Sequence, residues 1–182
     1  DAVKFQTFKT DNIITPEAPK STYHIQTTGG DKVQTWYELL KTQEISENMH
    51  IELMKYCKQK NIIFMSTPYD KDSVDLLDEL GVSSFKTAST DTNNIPLLRY
   101  IARKAKPTII STAMSTMEEV ENAVKSIKEE GLNEIGVLQC TGNYPANLSD
   151  SNLNIIKTFE NKLECVIGYS DHTEEIINPI AA

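Results

Sequence analysis

The sequence predicts an α/β fold, an incomplete (β/α)8 TIM barrel carrying about six of the eight βα units such a barrel needs. Three observations predict it. From Ile62 onward, strand-like runs begin roughly every 22 to 30 residues with helical patterns between them, the spacing of βα units. Several of the runs are continuously apolar, Ile62-Ile-Phe-Met65 most clearly, as in parallel strands buried on both faces. Six runs end in small polar clusters: Lys4-Phe-Gln6-Thr7, Ser66-Thr67-Pro68, Lys86-Thr87-Ala-Ser89, Ser111-Thr112, Cys140-Thr141-Gly142-Asn143-Tyr144 and Ser170-Asp171-His172. The carboxyl ends of successive parallel strands are where an α/β barrel places its chemistry. An open, doubly wound six-stranded sheet is the alternative, but it concentrates its site at one crossover rather than after every strand.

The elements follow in order. Ala2 to Phe8 alternates and reads as a strand. Lys9 to Lys32 is polar, with Pro16, Pro19 and Gly29-Gly30 and no clear period, and reads as a long loop over the strand ends. Trp36, Leu39 and Leu40 mark one face of a helix over Val33 to Thr42. Ser46 is an N-cap for an amphipathic helix whose apolar stripe is Met49, Leu53, Met54 and Cys57. Strands are expected at Ile62–Met65, Ser84–Thr87, Thr108–Ile110, Ile135–Gln139 and Cys165–Tyr169. The helices between them are expected at Ser73–Leu80, Ile95–Ala105, Met117–Glu130 and near Leu153–Phe159, with a last start near Glu174. Gly81 and Gly131 stop two of these helices. With 182 residues, the chain reads as one partial barrel domain over 1–182, one βα unit short before Asp1 and at least one short after Ala182.

Composition narrows the function. Eighteen basic against 26 acidic residues give a net charge of -8, which argues against nucleic acid or an anionic membrane as partner. A small anionic substrate needs only local positive charge. Cys57, Cys140 and Cys165 are odd in number and far apart, with no disulfide framework or zinc spacing, which suits a reducing cytoplasm. No apolar run is long enough to cross a bilayer.

Lys4 and Lys86 sit within or at the end of strands, where an ammonium is costly unless an anion pairs with it. One lysine alone reads equally as an anion-binding group or as a structural one, paired with a neighbouring carboxylate or reaching for water. Two at equivalent positions, with Thr67, Ser89, Ser111 and Ser170 converging, read as a site for phosphate or carboxylate oxygens. His172 is placed to bind a divalent metal, though no second histidine lies at ligand spacing; His50 reads as a helix-face residue. Asp91 is an acid candidate or the N-cap of the next helix, a task open also to Asn93 or Asn94. Asn143 and Tyr144 are placed to hold sugar hydroxyls or simply to make a turn. The acidic helix Glu118–Glu130 reads as a solvated face.

Val3-Lys-Phe-Gln-Thr7, Ser66-Thr-Pro-Tyr-Asp70, Phe85-Lys-Thr-Ala-Ser89, Asn94-Ile-Pro-Leu-Leu-Arg-Tyr-Ile101, Cys140-Thr141 with Asn143-Tyr144-Pro145, and Gly168-Tyr-Ser-Asp-His-Thr173 together resemble the sialic acid synthase family, including its legionaminate and pseudaminate relatives. The resemblance runs along essentially the whole chain. It implies a (β/α)8 barrel with a small C-terminal antifreeze-like domain, not present here, and a swapped homodimer. It implies condensation of phosphoenolpyruvate with an N-acylated hexosamine, typically N-acetylmannosamine, using Mn2+ or another divalent ion. The product would be a nine-carbon 2-keto acid, and the enzyme cytoplasmic. Lys4, Thr67, Lys86, Ser89, Ser111 and Ser170 look like the phosphoenolpyruvate site, and Gln6, Asn143 and Tyr144 resemble acceptor positions. His172 matches the first metal histidine, and the second would lie beyond Ala182.

One position departs from the family pattern. Where the family usually has glutamate, this chain has Asp91, one methylene shorter. A catalytic group displaced by ~1 Å costs on the order of 100-fold in rate. The resemblance implies that the metal polarises the open-chain aldehyde and that Asp91 orients or deprotonates the water added to the resulting cation. A related phosphoenolpyruvate-using synthase with another acceptor, or a non-catalytic sugar- or phosphate-binding module, are the competing readings.

Overall fold

The computed structural model describes residues 1–30 and 32–182; Asp31, within the stretch read as a loop, lies outside the described residues. The chain divides into two compact units, Asp1–Leu80 and Gly81–Ala182.

In the first unit, β1 (Ala2–Thr7) and β2 (Ile63–Pro68) pair in parallel, with Lys4 beside Met65 and Gln6 beside Thr67. Strand alternation then puts Lys4, Gln6, Met65 and Thr67 on one face and Phe5, Thr7, Phe64 and Ser66 on the other. The helices of this unit are α1 (Thr10–Ile13), α2 (Thr22–Thr28), α3 (Trp36–Gln43), α4 (Glu47–Gln59) and α5 (Lys71–Glu79). α4 lies against the second face: Phe5 stacks on Phe64, ring centroids 5.2 Å apart, and His50 meets Phe64 edge-on at 6.2 Å.

The expected loop over 9–32 is corrected by α1 and α2. α2 begins at Ser21, whose side chain accepts from His24 N, and buries none of its residues. A helix with no buried face leaves no 3.6-residue apolar period to read. α3 starts later than expected, at a capping box of Thr35 and Glu38. In α4 the buried stripe is His50, Leu53, Met54 and Cys57, whereas Met49 is 51 % exposed. α5 is capped by Asp70, whose carboxylate accepts from Ser73 N, Ser73 Oγ and Lys9 N and so ties the helix start to the chain leaving β1.

The second unit is a four-stranded parallel sheet in the order β3 (Phe85–Lys86), β4 (Thr108–Ser111), β5 (Ile135–Cys140), β6 (Val166–Ser170). Its helices are α6 (Ile95–Ala102), α7 (Met117–Glu129), α8 (Asn154–Lys162) and α9 (Ile177–Ala181). One face of the sheet supplies Ile110, Ile135 and Val137 to a core with Leu98, Val120, Ala123, Ile127, Phe159 and Leu163. Each such side chain, fully buried, contributes roughly 1.5–3 kcal/mol. Glu118, Glu121, Asn122, Lys125 and Glu129 of α7 stay in solvent, as the sequence predicts. Gly81 and Gly131, with φ of +77° and +92°, close α5 and α7 in a conformation that a side chain would strain.

Burial on both strand faces is not uniform. Ile63 of β2 is 51 % exposed and Val166 of β6 is 73 % exposed; each belongs to a strand with a partner on one side only. α8 runs later than Leu153–Phe159, and the last helix begins at Ile177 rather than near Glu174.

Candidate active site

In the first unit, Lys4, Gln6 and Thr67 share the face that α4 does not cover. Lys4 is exposed overall, while partial desolvation of its ammonium holds the pKa below the usual lysine value. Gln6 Nε2 donates to Tyr69 Oη at 3.1 Å, which orients the amide. Thr67 is 1 % exposed, and its Oγ1 has no hydrogen-bond partner among the described residues. A buried hydroxyl without a partner costs stability unless something else binds it.

Behind these groups runs a buried relay. His50, at 0 % exposure, has Nδ1 2.9 Å from the Ser46 carbonyl and Nε2 2.8 Å from Thr7 Oγ1. A carbonyl only accepts, so Nδ1–H donates to Ser46, Thr7 donates to Nε2, and Ser66 Oγ donates to Thr7 at 2.7 Å. Thr7 and Ser66 directly neighbour Gln6 and Thr67 in sequence, so the relay holds α4 against the strand ends that carry the candidate site. His50 is thus a helix-face residue, as expected, on the buried face of α4.

In the second unit the register collects the chemistry. Lys86 pairs with Ile109, Ser111 with Leu138, Leu138 in turn with Gly168, and Cys140 with Ser170. Lys86, Ser111, Cys140 and Ser170 therefore lie on one sheet face, opposite the apolar core. Gly168 belongs to the same row, where a Cβ would come within 2.7 Å of Leu138 Cδ2, so a larger residue would require the Leu138 side chain to shift. Lys86 is 8 % exposed; its ammonium donates to Ser111 Oγ and, at 2.8 Å, to the Thr87 carbonyl. Ser89 Oγ accepts from Ala113 N at 3.1 Å, and Thr92 Oγ1 donates to the Ser111 carbonyl at 2.8 Å. The 3-10 turn Ser89–Asp91 is thus held beside the end of β4.

Asp91 closes that turn. The N-cap of α6 is Asn94, which accepts from Leu97 N, so the capping alternative for Asp91 is removed. Asp91 Oδ1 accepts from Asn94 Nδ2 at 3.0 Å, and Oδ2 is buried with no hydrogen-bond partner among the described residues. Burial pushes its pKa above the usual carboxylate value, the Asn94 bond opposing only in part.

His172 is fixed on several sides. Its Nδ1–H donates to the Thr141 carbonyl at 2.6 Å. Tyr144 stacks on the ring with centroids 4.0 Å apart. Cys140 Sγ lies 3.6 Å from Nε2 and 3.8 Å from Nδ1, nearly equidistant, so it rests against the ring rather than along one lone pair. Burial raises the pKa of the Tyr144 phenol, with a smaller contribution from Cys140. A metal-binding histidine ordinarily donates its second ring nitrogen to a carbonyl or carboxylate, and His172 meets that requirement with Nε2 as the donor atom left for an ion. Among the described residues, no group of three or more His, Cys, Asp and Glu side chains could hold a metal. Asn143 is exposed in the turn beside Tyr144.

Sequence reasoning missed His50, Tyr69 and the Thr141 carbonyl as supporting groups. His50 had a signal, because it sits four and seven residues before Met54 and Cys57 on the buried stripe. The Thr141 carbonyl had none, since a main-chain contact across 31 residues leaves no trace in residue type.

The NeuB family pattern matches residues 1–182, the whole chain. The chain belongs to the NeuB family. It is 39 % identical over 184 residues to an N,N'-diacetyllegionaminic acid synthase of Campylobacter jejuni, covering 100 % of this chain and 54 % of that protein. It is 31 % identical to a pseudaminic acid synthase of the same species, covering 100 % of this chain and 52 % of that protein. A crystal structure of the sialic acid synthetase of Leptospira borgpetersenii, in complex with citrate, superposes with a TM-score of 0.82 at 32 % identity, covering 99 % of this chain and 57 % of that one. The chain thus spans about half the length of the NeuB-family relatives it matches. The expected fold class holds: α/β with parallel βα units of the TIM-barrel type, six strands of it among the described residues.

Proposed function

We propose that this NeuB-family chain carries the donor half of a sugar acid synthase site, which condenses phosphoenolpyruvate with an N-acylated hexosamine to give a nine-carbon 2-keto acid and phosphate. The observation that carries the reading is the buried Lys86–Ser111 pair on the same sheet face as Ser170. In this reading Lys86 neutralises an anionic group of the donor and Ser89, Ser111 and Ser170 supply hydroxyls to its oxygens, while Lys4 and Thr67 are the donor-binding candidates of the first unit. Gln6, Asn143 and Tyr144 face the acceptor. A divalent ion such as Mn2+, held at His172 Nε2, would supply Lewis-acid polarisation of the acceptor carbonyl. Asp91 is the proton-handling group: Oδ2 takes a proton from the water that adds to the donor carbon, and burial, by raising its pKa, makes the carboxylate a stronger base for that step. The working protein in this reading is a cytoplasmic homodimer. No helix among the described residues is long and apolar enough to cross a membrane.

The relatives named for legionaminic and pseudaminic acid synthesis favour an acylated amino-sugar acceptor. The test incubates the complete protein with phosphoenolpyruvate, Mn2+ and a panel of acylated hexosamines, with and without chelator, and reads the 2-keto acid by mass spectrometry. A product with one or more sugars, lost on chelation, supports the reading. No product with any sugar ends it.

A further inference from the structure

We propose that Asn94 is a positioning residue for Asp91: one end of its carboxamide caps α6, and the other fixes the Asp91 carboxyl so that Oδ2 is the oxygen offered to the reacting water. The inference rests on the reading of Asp91 as the proton-handling group and adds the residue that aims it. Three contacts carry it. Asn94 Oδ1 accepts from Leu97 N at 3.4 Å, the cap of α6. A main-chain N–H only donates, so the amide has one orientation, with its NH2 turned to Asp91. Asn94 Nδ2 donates to Asp91 Oδ1 at 3.0 Å, and Asn94 N donates to the Asp91 carbonyl at 3.0 Å. Side chain and backbone of Asp91 are therefore both tied to the start of one helix.

That helix is a fixed support, because Leu98 and Ile101 hold it fully buried in the core. With Oδ1 bonded to Asn94, the plane of the carboxyl is set, and Oδ2 is the oxygen left without a protein partner among the described residues. Burial raises the pKa of Asp91, the Asn94 bond lowers it, and no charge from a neighbouring element is among the causes. The charged groups of those elements are engaged elsewhere: Lys86 of β3 by Ser111 and the Thr87 carbonyl, and Glu119 of α7 by Thr116 and Asn93. Asn94 is thus the one polar side chain bonded to this carboxyl among the described residues. Asn94→Ser and Asn94→Asp both keep an oxygen to cap α6, and both lose the NH2 group, so they separate the two ends of the carboxamide.

The experiment compares the complete protein with Asn94→Ser, Asn94→Asp and Asp91→Asn, each checked for cooperative melting. Carbon-13 NMR of labelled aspartate carboxyls follows the Asp91 titration, its signal being the one missing in Asp91→Asn. Steady-state kinetics over pH use phosphoenolpyruvate and the acylated hexosamine of the panel above that is turned over fastest. We expect the Asp91 titration and the acid limb of kcat/KM to move together to higher pH in Asn94→Ser, and further in Asn94→Asp, where a second carboxylate faces the first. We expect kcat to fall by up to about 100-fold, the cost of a group ~1 Å out of place, with KM for phosphoenolpyruvate unchanged. If both variants keep the parental titration and kcat, Asn94 only caps α6 and the proposal is overturned. If the titration moves but kcat does not, or if KM alone rises, Asn94 does not aim Asp91 and the proposal is again overturned, while an inactive Asp91→Asn leaves the reading of Asp91 standing. If Asp91→Asn turns over as the parent does, that reading fails and this inference fails with it.

Discussion

The ammonium of Lys86 donates to the hydroxyl of Ser111, one strand away on the same face of the sheet, and both residues are nearly excluded from water. The hydroxyl and the Thr87 carbonyl together hold the ammonium in place on that sheet face. That arrangement underlies the donor site proposed above.

Asp91 makes a prediction about pH. Its carboxyl has a pKa raised by burial, so the folded state holds its proton more tightly than the unfolded chain does. Stability from this group is fully present below the ordinary carboxylate pKa and is lost as pH rises through the raised one. Asp91→Asn should therefore melt higher than the parent at neutral pH, with the difference shrinking toward zero as pH falls below the ordinary carboxylate value. It should also lose catalysis. A variant that melts lower at neutral pH and recovers in acid would contradict this account of Asp91.

The relay of Ser66, Thr7, His50 and Ser46 should be stabilising. His50→Ala takes one partner each from the buried Thr7 hydroxyl and the Ser46 carbonyl and opens a cavity. Equilibrium urea unfolding should show a loss of about 2–4 kcal/mol. Lys58→Ala, on the exposed side of the same helix, should stay within about 0.5 kcal/mol of the parent.

The core of the second unit makes a similar contrast. Leu98 is fully buried among Ile110, Val124 and their neighbours. Leu98→Ala should cost about 2–5 kcal/mol in the same unfolding measurement. Glu118→Gln, on the solvated side of α7, should change stability by less than about 0.5 kcal/mol.

The sequence carried most of the fold because its signals are local. Ser46, Thr35 and Asp70 start helices through their own side chains, and Gly81 and Gly131 stop two through their own backbones. α1 and α2 escaped because the first is a single turn and the second buries no side chain. The lysines and hydroxyls of the candidate site were legible as types at strand ends. Which of them share a face became definite only with the strand register, because a shift of one residue would have turned Ser111 or Ser170 toward the core. The supports of His172 and the burial of His50 depend on contacts between distant segments, and residue type alone does not encode those.

The most direct test of the donor site is calorimetric titration of phosphoenolpyruvate into the complete protein, its Lys86→Ala variant and the Lys58→Ala control. Removing one partner of a desolvated charge interaction costs about 2–5 kcal/mol, or roughly 30-fold or more in affinity. The account predicts one saturable site in the parent, a loss of that size in Lys86→Ala, and parental binding in Lys58→Ala. Equal affinity in all three proteins would contradict it.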